Sequence, residues 1–364
     1  MNKKWFRFPL LMIALMVIVS IASPAAQAGS EKQKVTIGWS RYAGWMPWPY
    51  LKESGLMQKW ADAYGCTVDI TNEMSYDASI AAYASGELDG VTITNMDAIQ
   101  GPCRSGRKTV ALVNGDFSNG NDCLIAKGVG DVPGLKGMKV MMLEGSVSQY
   151  LTVQGLVANK MKESDITIVN VSDAVIAATY LADDSATKAV TTWTPFTLQV
   201  LEQPGSKVLF DSSKIPGHIQ DWLMVSEETA KNKPNCCKAI MGAWCEGMKI
   251  LSTRGEKRTA MVASMAKASE CTAAAFEAQL KTTALYTTAQ SAFDCTSGKE
   301  IQAAMKSVKE FCVAHPPADV PASTIEAVGI KFPDGSVLGD AKKVMLTLDA
   351  SFTELAAKGE LKRE

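Results

Sequence analysis

The 364-residue chain holds only two histidines, His218 and His315, far apart in sequence. It has no H-E-x-x-H, no G-x-S-x-G and no C-x-x-C. Those absences leave a zinc site, a thiol–imidazole pair or a serine nucleophile elbow with little to build on. An excess of positive charge is also missing, since 37 Lys and Arg face 38 Asp and Glu. Such a surface has no electrostatic reason to hold DNA or RNA, and no run of like charge suggests a membrane-surface helix. Neither internal repeats nor low-complexity segments occur beyond Ala-rich stretches.

The one long apolar run, Leu10 to Ala22, follows Lys3, Lys4 and Arg7 and precedes "SPAAQA", ending at Ala28. A charged start, a run too short for a comfortable span and an A-x-A site predict a secretory signal cleaved after Ala28. No cysteine sits there to carry a lipid. The expectation is a soluble, periplasmic mature chain. Losing three of the 37 basic residues leaves 34 against 38 acids, a net charge of −4. All nine cysteines lie in that mature part. Export would expose them to oxidation, and Cys103 with Cys123 and Cys271 with Cys295 are the expected disulfides, each stabilising by about 3 kcal/mol.

Aromatics make up only 7% of the chain, yet "GWSRYAGWMPWPY" gathers Trp39, Tyr42, Trp45, Trp48 and Tyr50 between Gly38 and Tyr50. Pro47 and Pro49 argue against a buried helix there, so the reading is a ring-bearing loop that plugs a gap or lines a site. From Lys34 to Leu209 short β-branched runs alternate with helical ones, and the alternation restarts at "GMKVMML" (Gly137 to Leu143). That is the grammar of two α/β lobes with parallel-rich sheets and flanking helices. Two similar strings, "DCLIA" (122–126) and "DWLMV" (221–225), read as the two strands of a hinge. The division is then residues 29–121 and 226–364 for the first lobe and 122–225 for the second. After Val225 the pattern reads as almost wholly helical, including a helix from Asp340 to Lys358.

In open parallel sheets ligands bind beyond the carboxyl ends of strands. On the first lobe those ends carry Ser40, Arg41, Tyr42, Trp45 and Trp48, then Tyr76 and Asp77, then Thr94, Asn95 and Asp97, then Asp116. Asp122 stands at the hinge, and the second lobe adds Glu144, Ser146 and Trp193. Hydroxyls, acids and indoles converging on one cleft describe a small-molecule pocket.

"GELDGVTITNMDAI" (Gly86 to Ile99), "VPGLKGMKVMMLEGSVSQYLT" (Val132 to Thr152) and "TTWTPF" (Thr191 to Phe196) resemble the periplasmic solute-binding proteins of nitrate/sulfonate/taurine-type ABC importers. "GWSRYAGWMPW" and "TNMDA" look most like a branch labelled urea- or guanidine-type. The usual Gly-x-Val-Asp-Ala before the last second-lobe strand is replaced by "LADDSATKAV". The resemblance implies a two-lobed type II binding fold that closes on a solute and docks on an ABC permease, with no cofactor and no chemistry. A monomer is expected.

For a cationic or urea-like ligand speak Asp77, Asp97, Asp116, Asp122 and Glu144, with Tyr42, Trp45, Trp48 and Trp193 as cation–π faces. For an anion such as a sulfonate or nitrate speak Arg41 and the helix start at Ser146 and Ser148. Acids outnumber bases, and a desolvated carboxylate facing a bound anion is costly, so the cation is favoured. A secreted hydrolase is the rival from another class. A receptor that hands its closed form to a sensor fits the sequence equally well.

Overall fold

The computed structural model describes residues 32–361 together with Met1. The expected signal segment lies outside the described residues. Fourteen strands form two mixed sheets. The first four are β1 (Gln33–Gly38), β2 (Cys66–Ile70), β3 (Gly90–Thr94) and β4 (Thr109–Ser118). The small sheet takes β5 (Cys123–Lys127), β6 (Lys139–Met142), β7 (Thr167–Asn170), β8 (Lys188–Thr192) and β9 (Ser206–Asp211). The chain then returns as β10 (Gln220–Ser226), followed by β11 (Thr283–Leu285), β12 (Gly329–Lys331), β13 (Val337–Leu338) and β14 (Val344–Leu348).

The large sheet runs β13-β12-β14-β4-β10-β3-β1-β2, with β11 added on β4, and the small one runs β7-β6-β8-β5-β9. Neither sheet is mostly parallel. β10 is antiparallel to both β3 and β4, and β5 is antiparallel to both β8 and β9. The two strings read as a shared hinge therefore sit centrally in different sheets, and the chain crosses just before each of them. The crossings run side by side, for Ser118 Oγ and Ser212 Oγ are 2.7 Å apart, Gly120 N donates to Ser212 Oγ at 2.7 Å, and Ser212 N donates to the Asp122 carbonyl at 3.0 Å.

Alternation places the small sheet's residues in two cores. Leu124, Ala126, Val140, Met142 and Ala189 face one side, while Cys123, Ile125, Met141 and Val190 face the other. Side chains of a strand point alternately to opposite faces, so a sheet covered on both sides reads as a continuous apolar run.

The ring segment differs from the sequence expectation. Residues 43–46 form a turn, but a helix begins at Pro47 and runs to Glu53 with Trp48 inside it. A first-turn N–H has no acceptor inside the helix, so prolines at its start cost nothing there. Trp48 is only 1% exposed and stacks on Trp244 at 4.6 Å between ring centroids. It belongs to the core. Gly55, at φ +75°, ends this helix and starts the next, Leu56–Ala63.

The C-terminal region is less helical than expected. The span from Asp340 to Lys358 divides into β14 and a short helix, Ser351–Ala357. Its "VMLTL" alternates and is β-branched enough to join the large sheet beside β4.

All nine cysteines are free thiols. Cys103 Sγ points to the Met345 carbonyl at 3.4 Å and Cys123 Sγ to that of Gly120 at 3.4 Å, on different sheets. Cys271 accepts from Gln279 Nε2 at 3.5 Å, and Cys295 accepts from the Tyr286 hydroxyl at 2.9 Å. Neither expected disulfide forms: Cys103 and Cys123 lie in different cores, and Cys271 and Cys295 each face other partners. Only loop length had suggested them. Cys66 and Cys236, both buried, are instead in hydrogen-bonding contact, which holds the Cys236 thiol below its usual range.

Gly242 lies on the face of the Pro234–Ser252 helix against Trp60, where an added Cβ would collide with three ring carbons. Gly242→Ala is expected to lower stability by about 1–3 kcal/mol through overpacking. Urea unfolding followed by tryptophan fluorescence measures it.

Candidate functional site

One row of the large sheet builds the floor of the site. Asp221 on β10 pairs in register with Thr94 on β3 and with Asp116 on β4. Residues opposite one another on adjacent strands share a face. The Asp116 and Asp221 carboxyls come within hydrogen-bonding reach of each other. Asp122 joins from the crossing between sheets, where its Oδ2 accepts from Ser118 Oγ at 2.5 Å. All three acids are buried.

Rings form the walls. Tyr42 and Trp45 lie 5.0 Å apart between centroids, Trp45 and Tyr76 5.4 Å, and Tyr76 and Trp193 5.7 Å. Trp193 comes from the small-sheet side, just after β8. With Asp122, Asp221 and Thr94 these four rings line a small, partly enclosed cavity between the sheets, with about 10 Å³ of free volume, room for one water-sized group. Val147 and Ile219 complete the lining.

Tyrosine hydroxyls tie walls to floor. Tyr42 donates to Asp116 Oδ1 at 2.9 Å, and Tyr76 donates to Asp97 Oδ2 at 2.6 Å. Gly44 permits the first of these, since a Cβ there would collide with Asp116 Oδ2. Among the described residues Asp116 Oδ2 and Asp221 Oδ2 receive no N–H or hydroxyl donor, and Trp45 Nε1 finds no acceptor, though all three are buried.

No Lys, Arg or His lines the cavity. Burial therefore dominates the acids, pushing Asp97 up to about 6 and Asp116 and Asp122 up to about 7. Asp221 rises well above its ordinary range, through burial first and then the charges of Asp116 and Asp122. Tyr42 is likewise pushed well up by burial and by the same acids.

Of the residues expected from sequence, Tyr42, Trp45, Tyr76, Thr94, Asp122 and Trp193 line the cavity, and Asp116 lies directly beneath Tyr42. Others serve different ends. Arg41 is held outside by Glu73 at 2.9 Å and Glu270 at 2.9 Å, and only its backbone carbonyl takes part, accepting from Trp193 Nε1 at 3.2 Å. Asn95 is structural, donating to the His218 carbonyl at 3.0 Å and accepting from Gln220 N at 3.1 Å. Ser40 is buried beside Met74. Asp77, Asp97, Glu144 and Ser146 border a larger open cleft of about 520 Å³ that reaches Tyr76 from the other side. Ser146 caps the helix Val147–Ala158 there, accepting from Ser148 N at 3.1 Å.

Asp221 was not among the expected contacts. The signal was present, because an acid opening an otherwise apolar central strand has few uses other than a site. The same "DWLMV" that reads as a hinge string supplies the residue.

Across the gap the two sides touch at a few polar points. Tyr76 N donates to Asp173 Oδ2 at 3.2 Å, and His315 Nε2 lies 2.7 Å from Glu163 Oε2.

Comparison with known proteins places this geometry in context. The alkanesulfonate-binding protein SsuA from Xanthomonas axonopodis pv. citri is 14% identical, with 81% of this chain and 98% of that one aligned at a TM-score of 0.66. The nitrate-binding protein NrtA from Synechocystis PCC 6803 is 14% identical over 90% and 99% of the two chains, at a TM-score of 0.58. A Candida albicans protein described as having the generic periplasmic binding protein structural fold matches at 13% identity over 80% and 93%, at a TM-score of 0.59. Identities this low carry the fold alone, and that fold is the periplasmic binding protein fold. No curated protein matches the sequence. The profile of the NMT1-like family, however, matches residues 28–267, well over half of the chain, and the protein belongs to that family.

Proposed function

We propose that this protein is the extracytoplasmic solute-binding receptor of an ABC importer, and that its solute is a small planar cationic or urea-like nitrogen compound, of which guanidinium fits best. The observation that carries the ligand class is a ring-walled cavity with a carboxyl floor and no basic side chain among the described residues; at about 10 Å³ it holds one water-sized group, so its walls must move apart to take a guanidinium-sized solute. A cation supplies the charge and the N–H donors that buried carboxylates need, and aromatic faces favour it further. Among the described residues no group of His, Cys, Asp or Glu is arranged to hold a metal ion, so an organic cation fits better than a bare one.

Receptor action follows from the cavity's construction. Its lining comes from both sheets, so a ligand touching both sides stabilises the closed arrangement over an open one. Closure of that kind is what a permease can recognise. The names of the structural neighbours support the receptor role, and the export expected from the N-terminal sequence agrees with it. No nucleophile–base pair is assembled around the cavity, which favours binding over chemistry.

A second reading has an observation behind it. The neighbours named above are described as binding an alkanesulfonate and nitrate, which favours an anion. Against that stands Arg41, the leading candidate contact for an anion, which is already committed to two carboxylates outside the cavity.

A thermal-shift panel of guanidinium, urea, taurine, an alkanesulfonate and nitrate separates the two. Guanidinium is expected to raise the melting temperature most, since a hundredfold excess over Kd stabilises by about 2.7 kcal/mol. A response to sulfonate or nitrate alone would reverse the charge assignment. Arg41→Ala is expected to leave guanidinium affinity within about threefold, because partly exposed ion pairs contribute little. Under the anion reading the same variant would abolish binding, and isothermal titration decides.

A further inference from the structure

We infer that Asp116 and Asp221 form the specificity-determining pair of this site, holding one proton between them when empty and releasing it when the cation binds. The inference rests on the cation reading above and adds the exchange of one charge for another. The step balances: a carboxyl O–H breaks, its proton leaves to solvent, and the carboxylate left behind pairs with the incoming positive charge.

Geometry supports it first. Strand register sets the two residues opposite one another on β4 and β10, and the Tyr42 hydroxyl holds Asp116 Oδ1 at 2.9 Å. Their oxygens Asp116 Oδ2 and Asp221 Oδ2 are buried and receive no other donor. Two carboxylates this close in a desolvated site cannot both ionise, so they share a proton and titrate as a unit. The surroundings are one-sided. Asp122 faces the pair from the crossing and Tyr42 from the loop after β1, while Tyr286, after β11, lies beside Asp116. Asp97 stands behind Tyr76 on the helix after β3. None of these groups carries positive charge, so among the described residues nothing takes the place of the proton.

The same burial fixes the sign of the pH dependence. A carboxyl whose folded pKa lies above its unfolded value of about 4 favours the native state at low pH. That contribution is complete below about pH 4 and is lost as pH rises through about 7, the range to which Asp116 and Asp122 are pushed. The empty protein should therefore lose stability from pH 5 to pH 8. Guanidinium binding should do the opposite, with Kd falling by about tenfold per pH unit for each proton released as the pH rises from 5.5 to 8.

The experiment is calorimetric titration of the wild-type protein with guanidinium in two buffers of different ionisation enthalpy, repeated from pH 5.5 to 8. Release of about one proton per cation near pH 8, rising as the pH falls below 7 and the second acid also becomes protonated, is the expected result. Cation binding with no proton released and a Kd flat across that range would overturn this inference while leaving the cation reading intact. Failure of guanidinium to bind at any pH would instead remove the reading on which it rests.

Asp221→Asn provides the second arm. The amide imitates the protonated acid, so the empty variant should melt higher than wild type at pH 8, release no proton, and bind guanidinium at least about 30-fold more weakly. Retained affinity in a folded Asp221→Asn or Asp116→Asn protein would overturn the assignment. Should neither variant fold, the wild-type proton count still decides.

Discussion

Desolvation of carboxylates with no counter-charge is the constraint around which the molecule is arranged. Asp116, Asp122 and Asp221 are buried at the junction of two sheets, and each would cost several kcal/mol if ionised alone. The fold meets that cost locally, through hydroxyls that donate to the acids and through proximity that lets two acids share a proton. Tyr42 and Ser118 donate directly, and Tyr76 does the same for Asp97 one layer out. The rings that carry two of those hydroxyls are also the cavity walls, so the groups that tolerate the acids are the groups a solute would meet.

Position of the acids depends on strand order. β10 enters antiparallel between β3 and β4, and that insertion alone puts Thr94, Asp221 and Asp116 in one row. A strictly parallel sheet would have set these residues at different heights. The crossing segments beside the row, tied through Ser118, Asp122 and Ser212, place the small sheet so that Trp193 closes the far side. The two sides meet through single hydrogen bonds such as Tyr76 N to Asp173 and Trp193 Nε1 to the Arg41 carbonyl.

Much of this was legible in the residues. Alternating strand and helix grammar gave nearly every element up to β9 within a few positions, because β-branched runs and helical spacing are local signals. Strand-end reasoning found six of the cavity residues for the reason that ligands collect where strands stop. Trp48 was misjudged because proline was weighed as a helix breaker, whereas at the first turn it is compatible with one. Asp221 and β14 escaped because their roles depend on which distant strand they join. No local pattern shows that "DWLMV" lies between β3 and β4, or that "VMLTL" leaves a helical region to extend a sheet. The cysteine pairs failed on the same ground, since separation along the chain says little about distance in space.

The late arrival of β10 also bears on how the chain acquires its shape. β3 and β4 wait through some hundred residues for the strand that belongs between them, and until it comes the larger sheet is two fragments with bare inner edges. The five strands of the small sheet are made in the interval. Pairing at that sequence distance is slow to form, and exposed strand edges invite association with other chains.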